Sequence, residues 1–287
     1  SPIEDFKYNL AMLNYDEIIA GIDKFKDYDS DTLMSVVSEI GRLNELEVVD
    51  SNKIGDREGL KYLPDGPEGP EVHTPEAFKK IYEVVKDSGY VGATMPTQYG
   101  GGGAPFTTAI LAGEVGIASN MAFYMGPGLS HGAMKTILKK ATEELKDKYL
   151  PNMTSGEWMG TMCLTEPQCG TDLGLIKSTA KPVDDHYELN GQKIWISFGE
   201  HDLTENIIHL VLARTPDAPA GIKGISLFLV PKRLDDNSQT ILKRYDTYME
   251  TTRPVLDFYS KNPNFHEIDG TLEIDQITAK IHAFLNV

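Results

Sequence analysis

The first half of the chain carries helical patterns separated by loops. Residues 31–49 have the apolar spacing of an amphipathic helix after an Asp/Ser start, and residues 50–73 are rich in Gly, Pro and Asp and predict a loop. A second helix is predicted over about 74–88, because Thr and Pro stand at its start and Gly follows it. Helical spacing returns at 106–119 and 132–150, so this half is predicted to be mostly helical.

The pattern changes near residue 157 to short segments rich in β-branched and aromatic residues. Turn residues separate these segments, and Asn190-Gly191 is a strong hairpin signal. The segments are EWMGTMCLTE, HYELNG, KIWISFG, NIIHLVLAR and GISLFLVPK. Residues 157–232 therefore predict an antiparallel sheet or barrel.

A third pattern begins after Lys232, where apolar residues recur at helical spacing. The segment FHEIDG then predicts a short strand and turn, and Ile274, Ile277 and Ile281 mark a last amphipathic helix. The order of helices, strands and a short helical tail predicts an α+β fold.

Composition and charge narrow the class of protein. The 287 residues allow two modest domains, and the net charge of -16 argues against nucleic acid as a partner, because phosphate binding needs a basic field. We find no apolar run as long as a membrane span (about 18 residues) and no signal peptide in SPIEDFKYNL, so no membrane partner is expected. Cys163 and Cys169 lack the partners of a metal site or disulfide framework, so we expect no metal and a cytoplasmic location.

Two segments have the chemistry to hold a flat, phosphate-bearing ligand. In MCLTEPQCGTDLG, residues 162–174, a Gly/Thr turn offers hydroxyls and backbone N–H groups to a pyrophosphate, although it also fits a surface turn. In KIWISFG, residues 193–199, a strand would place Trp195 and Ser197 on one face, which suits a flat ligand. On spacing alone, an ordinary half-buried aromatic side chain on a sheet is the favoured interpretation of the second segment.

The pentapeptide GLSHG, residues 128–132, matches the nucleophile elbow G-x-S-x-G of hydrolases, with Ser130 as the nucleophile. An elbow needs a strand before it, and the sequence offers only the short MAFYM. The alternative is a Gly-Pro-Gly turn that opens a helix with Ser130 as its N-cap. A five-residue pattern arises easily by accident, so the second interpretation is favoured.

Taken together, the segments resemble the acyl-CoA dehydrogenase family. The resemblance covers about residues 1–232 and rests on MCLTEPQCGTDLG, GQKIWISFGEHDLTENIIHLVLAR and KGISLFLVPK, in that order. Within the family, the branch that acts on 3-(methylthio)propanoyl-CoA is the most similar. The resemblance implies an N-terminal α-helical domain over 1–155 and an antiparallel β-barrel middle domain over 156–232.

The resemblance also implies FAD as the cofactor and assigns residues to it. Leu164 and Thr165 match positions at the edge of the isoalloxazine ring, and Gly170 and Thr171 match positions at the pyrophosphate. Trp195 and Ser197 match the residues beside flavin N5, so these six residues are the predicted cofactor site.

The activity that the resemblance implies is the α,β-dehydrogenation of an acyl-CoA thioester. Family members pass the electrons to an electron-transfer flavoprotein and are homo-oligomeric. In the family the catalytic Glu belongs to a C-terminal helical bundle, whereas Glu166 matches a structural position. The catalytic base is therefore left unassigned, and little or no turnover is expected of this chain.

The tail, residues 233–287, resembles the C-terminal end of adenylate kinases. The segment RLDDNSQTILKRYDTYMETTRPVLDFYS carries that pattern, and Arg233 and Arg244 match phosphate-binding arginines there. No P-loop accompanies them. The alternatives are therefore a nucleoside monophosphate kinase fragment or a non-catalytic fusion.

Overall fold

The N-terminal half is built from helices joined by turns, within residues 2–66 and 69–234, which the computed structural model describes. Two helices begin at a side-chain cap: the Asp29 carboxylate accepts a hydrogen bond from Thr32 N, and the Thr142 hydroxyl accepts one from Leu145 N. The prediction of a mostly helical first half is confirmed. The helices are α1 (Ile3–Met12), α2 (Tyr15–Ala20), α3 (Ser30–Leu43), α4 (Val49–Glu58), α5 (Glu76–Asp87), α6 (Phe106–Lys140) and α7 (Glu143–Ser155).

The loop predicted over residues 50–73 is wrong. A π-helical turn, Asn44–Val48, carries α3 directly into α4, and a hairpin of β1 (Lys61–Gly66) and β2 (Gly69–His73) follows. α4 is polar and mostly exposed, so it lacks the apolar stripe that marks a helix in a sequence. Its buried contact is Ser51, whose hydroxyl donates to Val48 O and accepts a hydrogen bond from the Asn120 side chain.

Helix α6 runs through residues 120–131, where a break between two helices with a Gly-Pro-Gly turn was predicted. It bends only at Asn120, whose φ of −156° and ψ of 91° are not helical. The Asn120 side chain accepts a hydrogen bond from Phe123 N and so caps the second arm of α6. The ring centroids of Phe106 and His131 lie 6.1 Å apart, so the two arms fold back against each other. The segment MAFYM is short and apolar, and periodicity alone does not separate a strand from a buried helix there.

By length and composition, α6 is the one helix among the described residues that could cross a membrane. This departs from the expectation that no such segment exists. However, 33% of the apolar 18-residue stretch within it is buried inside the protein, and Phe123 and Met134 lie fully in the core. A core helix passes the same test, so the match is weak evidence.

The strands form a mixed sheet rather than an antiparallel one. β3 (Trp158–Cys163) is parallel to β6 (Asn206–Ala213), which is antiparallel to β7 (Ser226–Pro231). The long connection between β3 and β6 lets the chain return in the same direction, as a parallel pair requires. The predicted antiparallel order is wrong for β3. Among residues 69–234, β3, β6 and β7 form a three-stranded sheet in which no closed barrel is detected.

The connection between β3 and β6 contains a second hairpin, β4 (Thr179–Val183) and β5 (His186–Asn190). Its turn is at Asp184, with a φ of 49°, and not at the predicted Asn190-Gly191. Asp tolerates this left-handed conformation better than most residues. The hairpin is joined to β6, since Ala180 N donates to Arg214 O and Arg214 N donates to Ser178 O.

One core joins the helices to the sheet. Gly160 in β3 faces α6 and α7 so closely that a Cβ there would lie 2.6 Å from Ala133 Cβ and 2.7 Å from Met153 Cε. The Ser130 hydroxyl accepts a hydrogen bond from Gly160 N at 3.0 Å and donates to Gly126 O, so β3 is bonded to α6 as well as packed on it. Residues up to Arg233 form one compact unit.

Candidate functional site

The loop that follows β3 is folded on itself by a tight turn. Glu166 N donates to Cys169 O at 2.9 Å, and Cys169 N donates to Glu166 O at 3.0 Å. Pro167 occupies the second position of this turn, where its fixed φ is favourable. The turn leaves Gly170 and Thr171 at the surface.

Glu166 is the buried anchor of this loop. Its carboxylate accepts hydrogen bonds from Lys177 N at 2.7 Å, Ser178 N at 3.1 Å, Gln168 Nε2 at 2.6 Å and Lys193 Nζ at 2.8 Å. Burial alone would raise the pKa of Glu166, but these donors, Lys177 N first, lower the pKa to about 2. Glu166 is therefore a fixed anion and a poor general base.

Lys193 brings the two predicted segments together. Its ammonium group donates to Leu164 O at 3.1 Å as well as to Glu166, and Ile194 N donates to Thr165 O at 3.0 Å. The structure thus places Leu164 and Thr165 beside Lys193 and Ile194, next to Trp195 in the chain.

The strand predicted over 193–199 is wrong. The backbone of this segment is irregular. Trp195 and Phe198 have φ values of 58° and 54°, which residues other than Gly rarely adopt. Lys193 is held at Glu166 and the chain turns at Gly199 N, which donates to Ile196 O, so no strand ladder forms. The exposure still alternates: Trp195 and Ser197 are exposed, and the Trp195 side chain is 86% exposed.

Hydrogen-bond donors are concentrated on the exposed side of this loop. Within the described residues, the backbone N–H groups of Leu164, Thr165, Gly170 and Thr171 donate to no acceptor. A Cβ at Gly170 would meet Thr165 Cγ2 at 3.6 Å, an ordinary contact, so the packing of this protein does not itself demand glycine there. These donors and the exposed Trp195 fit a flat, phosphate-bearing group, because such a group needs N–H donors and an aromatic face.

The loop carrying Trp195 touches α6. A Cβ at Gly126 would lie 2.7 Å from the Phe198 ring, so Phe198 rests on the backbone of α6. Pro127 and Gly128, the next residues, line a mainly apolar cleft of about 450 Å³ between the two arms of α6. No local pattern of residues indicates this cleft, because the cleft depends on the bend at Asn120.

Other candidate sites are not supported by the geometry. Ser130 lies inside α6, buried, with its hydroxyl engaged by Gly126 O and Gly160 N, so it is neither an exposed nucleophile nor an N-cap. Among residues 2–66 and 69–234, no group of three or more His, Cys, Asp or Glu side chains is placed to hold a metal ion. A second cavity of about 340 Å³ lies beside Glu166 and the end of β5.

Sequence profiles of two domains match the chain. The acyl-CoA dehydrogenase N-terminal domain matches residues 67–157, and the middle domain of the same family matches residues 161–251. The second match passes the junction predicted near residue 233. Neither match supports the adenylate kinase-like interpretation of 233–287, which lies outside the described residues from 235 onwards.

Curated relatives agree with these profiles. The chain is 38% identical over 235 residues to 3-methylmercaptopropionyl-CoA dehydrogenase of Ruegeria pomeroyi, covering 82% of the chain and 39% of the relative. It is 38% identical over 217 residues to a butyryl-CoA dehydrogenase of Syntrophomonas wolfei, covering 73% of the chain and 34% of the relative. The chain therefore spans less than half the length of these two relatives.

Solved structures show the same fold. An acyl-CoA dehydrogenase from Geobacillus kaustophilus superposes with a TM-score of 0.57 at 25% identity, over 70% of this chain and 48% of that one. An acyl-CoA dehydrogenase complexed with FAD, from Bacillus anthracis, superposes with a TM-score of 0.56 at 24% identity, over 72% of this chain and 32% of that one. With the two domain profiles together covering more than half of its residues, the chain belongs to the acyl-CoA dehydrogenase family, of which it carries the N-terminal and middle domains.

Proposed function

We propose that this chain binds FAD and an acyl-CoA thioester for the α,β-dehydrogenation of the acyl group. The observation that carries the proposal is the contact between Phe198 and Gly126. Phe198, in the same loop as Trp195, packs on α6 at Gly126, the residue before the cleft-lining Pro127 and Gly128, and the cleft is large enough for an acyl chain. Family membership supports both the cofactor and the class of substrate.

The predicted cofactor residues divide into a ring end and a phosphate end. Leu164 and Thr165, with Trp195 and Ser197 across the Lys193 bridge, would hold the isoalloxazine ring. The free N–H groups of Gly170 and Thr171, with the Thr171 hydroxyl, would hold the pyrophosphate without a basic side chain. When bound, FAD supplies the acceptor for the hydride that leaves the β-carbon.

The substrate class proposed is a short or branched acyl-CoA thioester. The relative that acts on a 3-methylmercaptopropionyl thioester supports a short acyl group, and 3-(methylthio)propanoyl-CoA is the first substrate to test. Transfer of electrons to an electron-transfer flavoprotein, assembly as a homo-oligomer and a cytoplasmic location belong to the same proposal and rest on the family resemblance.

The proton-abstracting base is not assigned to a described residue. Glu166, the acidic side chain nearest the site, is held as a fixed anion with a pKa of about 2. The prediction of little or no turnover by this chain therefore stays a prediction. Acyl-CoA-dependent reduction of an electron acceptor at an ordinary enzymatic rate would contradict it.

Flavin retention is the experiment that tests the proposal. Purified protein is incubated with FAD, gel-filtered and examined by visible absorption. We expect a retained flavin spectrum, and we expect Trp195→Ala to weaken FAD binding by roughly tenfold or more, because a large exposed aromatic face is lost.

Tyr62→Ala is the matched control, since Tyr62 is an exposed aromatic residue on β1 outside the loop. Folded protein that remains colourless after FAD treatment would contradict the proposal. Equal losses in the Trp195 and Tyr62 variants would show that Trp195 does not contact the flavin.

A further inference from the structure

The cleft between the arms of α6 is apolar along most of its length but polar at one end. Ile117 and Tyr124 line the apolar part near the bend of the helix. His131 and Lys135, one helical turn apart on the second arm, line the other end. A ligand that fills the cleft therefore meets a hydrogen-bonding group at one end only.

The polar end is a connected group of side chains. Lys135 Nζ donates to Thr94 O at 2.8 Å, and the Thr94 hydroxyl is 3.0 Å from His131 Nε2. The Phe106 ring stacks edge-on against His131 and covers it. These contacts hold the Lys135 ammonium group at the wall of the cleft, with further N–H donors left over, since an ammonium group carries three.

The charge of Lys135 is not balanced by a carboxylate. Its hydrogen-bond acceptor within residues 2–66 and 69–234 is the neutral Thr94 carbonyl. Burial, and then the positive charge of Lys24, lower the pKa of Lys135. Burial and the charge of Lys135 likewise lower the pKa of His131, so His131 is neutral near pH 7. This end of the cleft is a positive region with no anion of its own.

Thr108 gives a second, independent indication of a polar ligand. It lines the same cleft, is only 2% exposed, and its hydroxyl has no hydrogen-bond partner among the described residues. Buried hydroxyls are rarely left unpaired in folded proteins, because desolvation without a partner is unfavourable. A purely hydrocarbon ligand would leave the Thr108 hydroxyl without a partner and the Lys135 charge without a counter-ion.

The position of Lys135 suits recognition of the far end of an acyl chain. Pro127 lines the cleft directly beside Gly126, where Phe198 brings the flavin loop onto α6. Lys135 lies eight residues further along the same helix, or about 12 Å at the helical rise of 1.5 Å per residue. An acyl chain that enters the cleft at Pro127, the lining residue next to the Phe198 contact, would therefore reach Lys135 at its other end.

We propose that this cleft selects acyl groups whose far end carries a hydrogen-bond acceptor, a carboxylate above all, and that Lys135 is the residue that recognises it. The proposal rests on the proposed function, because the ligand is an acyl thioester. A thioether sulfur is a weaker acceptor than a carboxylate, so the order of preference is carboxylate, thioether, alkyl.

Matched pairs of acyl-CoA thioesters test this. Monocarboxylic and ω-carboxylic acyl-CoA of six and of eight carbons are titrated by calorimetry into the FAD-treated full chain, wild type and Lys135→Met. We expect the wild type to bind the ω-carboxylic member of at least one pair roughly tenfold more tightly, and the variant to lose that preference while still binding the monocarboxylic member.

Lys139→Met is the control, because Lys139 is exposed on the same helix and does not line the cleft. Lys135→Gln, with a thermal melt of each variant, separates a loss of recognition from a loss of folding. Binding of both members of every pair with no preference that depends on Lys135 would overturn this inference and leave the proposed function standing. Binding of no thioester by protein that retains FAD would overturn both.

Discussion

Glu166 decides the local shape of the site although it does not touch the reacting groups. Its buried carboxylate holds the turn after β3, the start of β4 and Lys193 at one point. Trp195, two residues after Lys193, is therefore presented by an anchored segment even though its own side chain is exposed. The strained backbone of Trp195 persists because Lys193 before it is bound to Glu166 and Phe198 after it packs on α6.

Glu166→Gln is expected to lower the free energy of unfolding by about 3–5 kcal/mol, because it leaves Lys193 buried without a counter-charge. Urea titration measures the loss. Glu143→Gln is the control, since Glu143 pairs with Lys146 at the surface and such pairs contribute at most about 1 kcal/mol.

The pH dependence of stability tests the same role of Glu166 in a second way. The pKa of Glu166 is lowered to about 2 by folding, so its stabilisation is present above its ordinary value of 4.5 and is lost as pH falls toward 2. The wild type should lose stability over this range more steeply than Glu166→Gln. Parallel pH profiles for the two proteins would contradict the role given to Glu166.

At the scale of elements, α6 is the helix that creates the cleft. At its bend, the Asn120 side chain accepts a hydrogen bond from Phe123 N and caps the second arm. The same side chain donates to the Ser51 hydroxyl of α4, which holds the bend in place. Fold-back of the second arm then brings His131 to Phe106 and encloses the space between them. The cleft is thus a consequence of one side chain in a helix that would otherwise be continuous.

Asn120→Ala is expected to lower stability by about 1–2 kcal/mol, through loss of the cap, and to weaken binding of acyl thioesters. Thermal melts and calorimetric titration measure the two effects. Thr136→Ala is the comparison, because Thr136 lies on the same helix and its exposed hydroxyl bonds only to Gly132 O. Equal effects of the two changes would show that the bend does not depend on the Asn120 side chain.

At the scale of the whole molecule, one buried cluster joins α5, α6 and α7 to β3 and β6, and these elements are expected to unfold together. A second cluster packs α1, α2 and α3 against Val115 of α6. Gly160 is the point of closest approach, since β3 rests there on Ala133 of α6 and Met153 of α7. Tyr82 of α5 donates to Gly156 O at 2.7 Å, and so ties α5 to the end of α7, just before β3 begins. The loop after β3 is therefore attached to a core that includes residues of both the N-terminal and the middle domain.

Gly160→Ala is expected to lower stability by about 1–3 kcal/mol, because the added methyl group overpacks the junction of β3 with α6 and α7. Circular dichroism and the fluorescence of Trp158 should still report one coincident transition. Gly132→Ala, where a Cβ meets nothing within 4 Å, is expected to be neutral or stabilising in α6. Separate transitions for helix content and for Trp158 would contradict a single cooperative core.

Amino-acid pattern alone determined that a mostly helical half precedes the strands, and it identified the residues of the loop after β3. Those features are local. The pattern of apolar and turn residues predicts β3, β6 and β7, and the contiguous motif LTEPQCGTD carries the family resemblance. The six cofactor residues remain predictions, although the structure does bring Leu164 and Thr165 beside the segment of Trp195.

Only the tertiary structure decided the parallel pairing of β3, the irregular path of residues 193–199 and the cleft of α6. Each depends on a long-range contact that no local pattern encodes: the return of β6 beside β3, the Lys193–Glu166 ion pair, and the Asn120–Ser51 hydrogen bond. A side chain such as Lys135 or Thr108 becomes a candidate for ligand recognition only once folding has buried it beside an apolar space, because burial makes an unpaired polar group unfavourable.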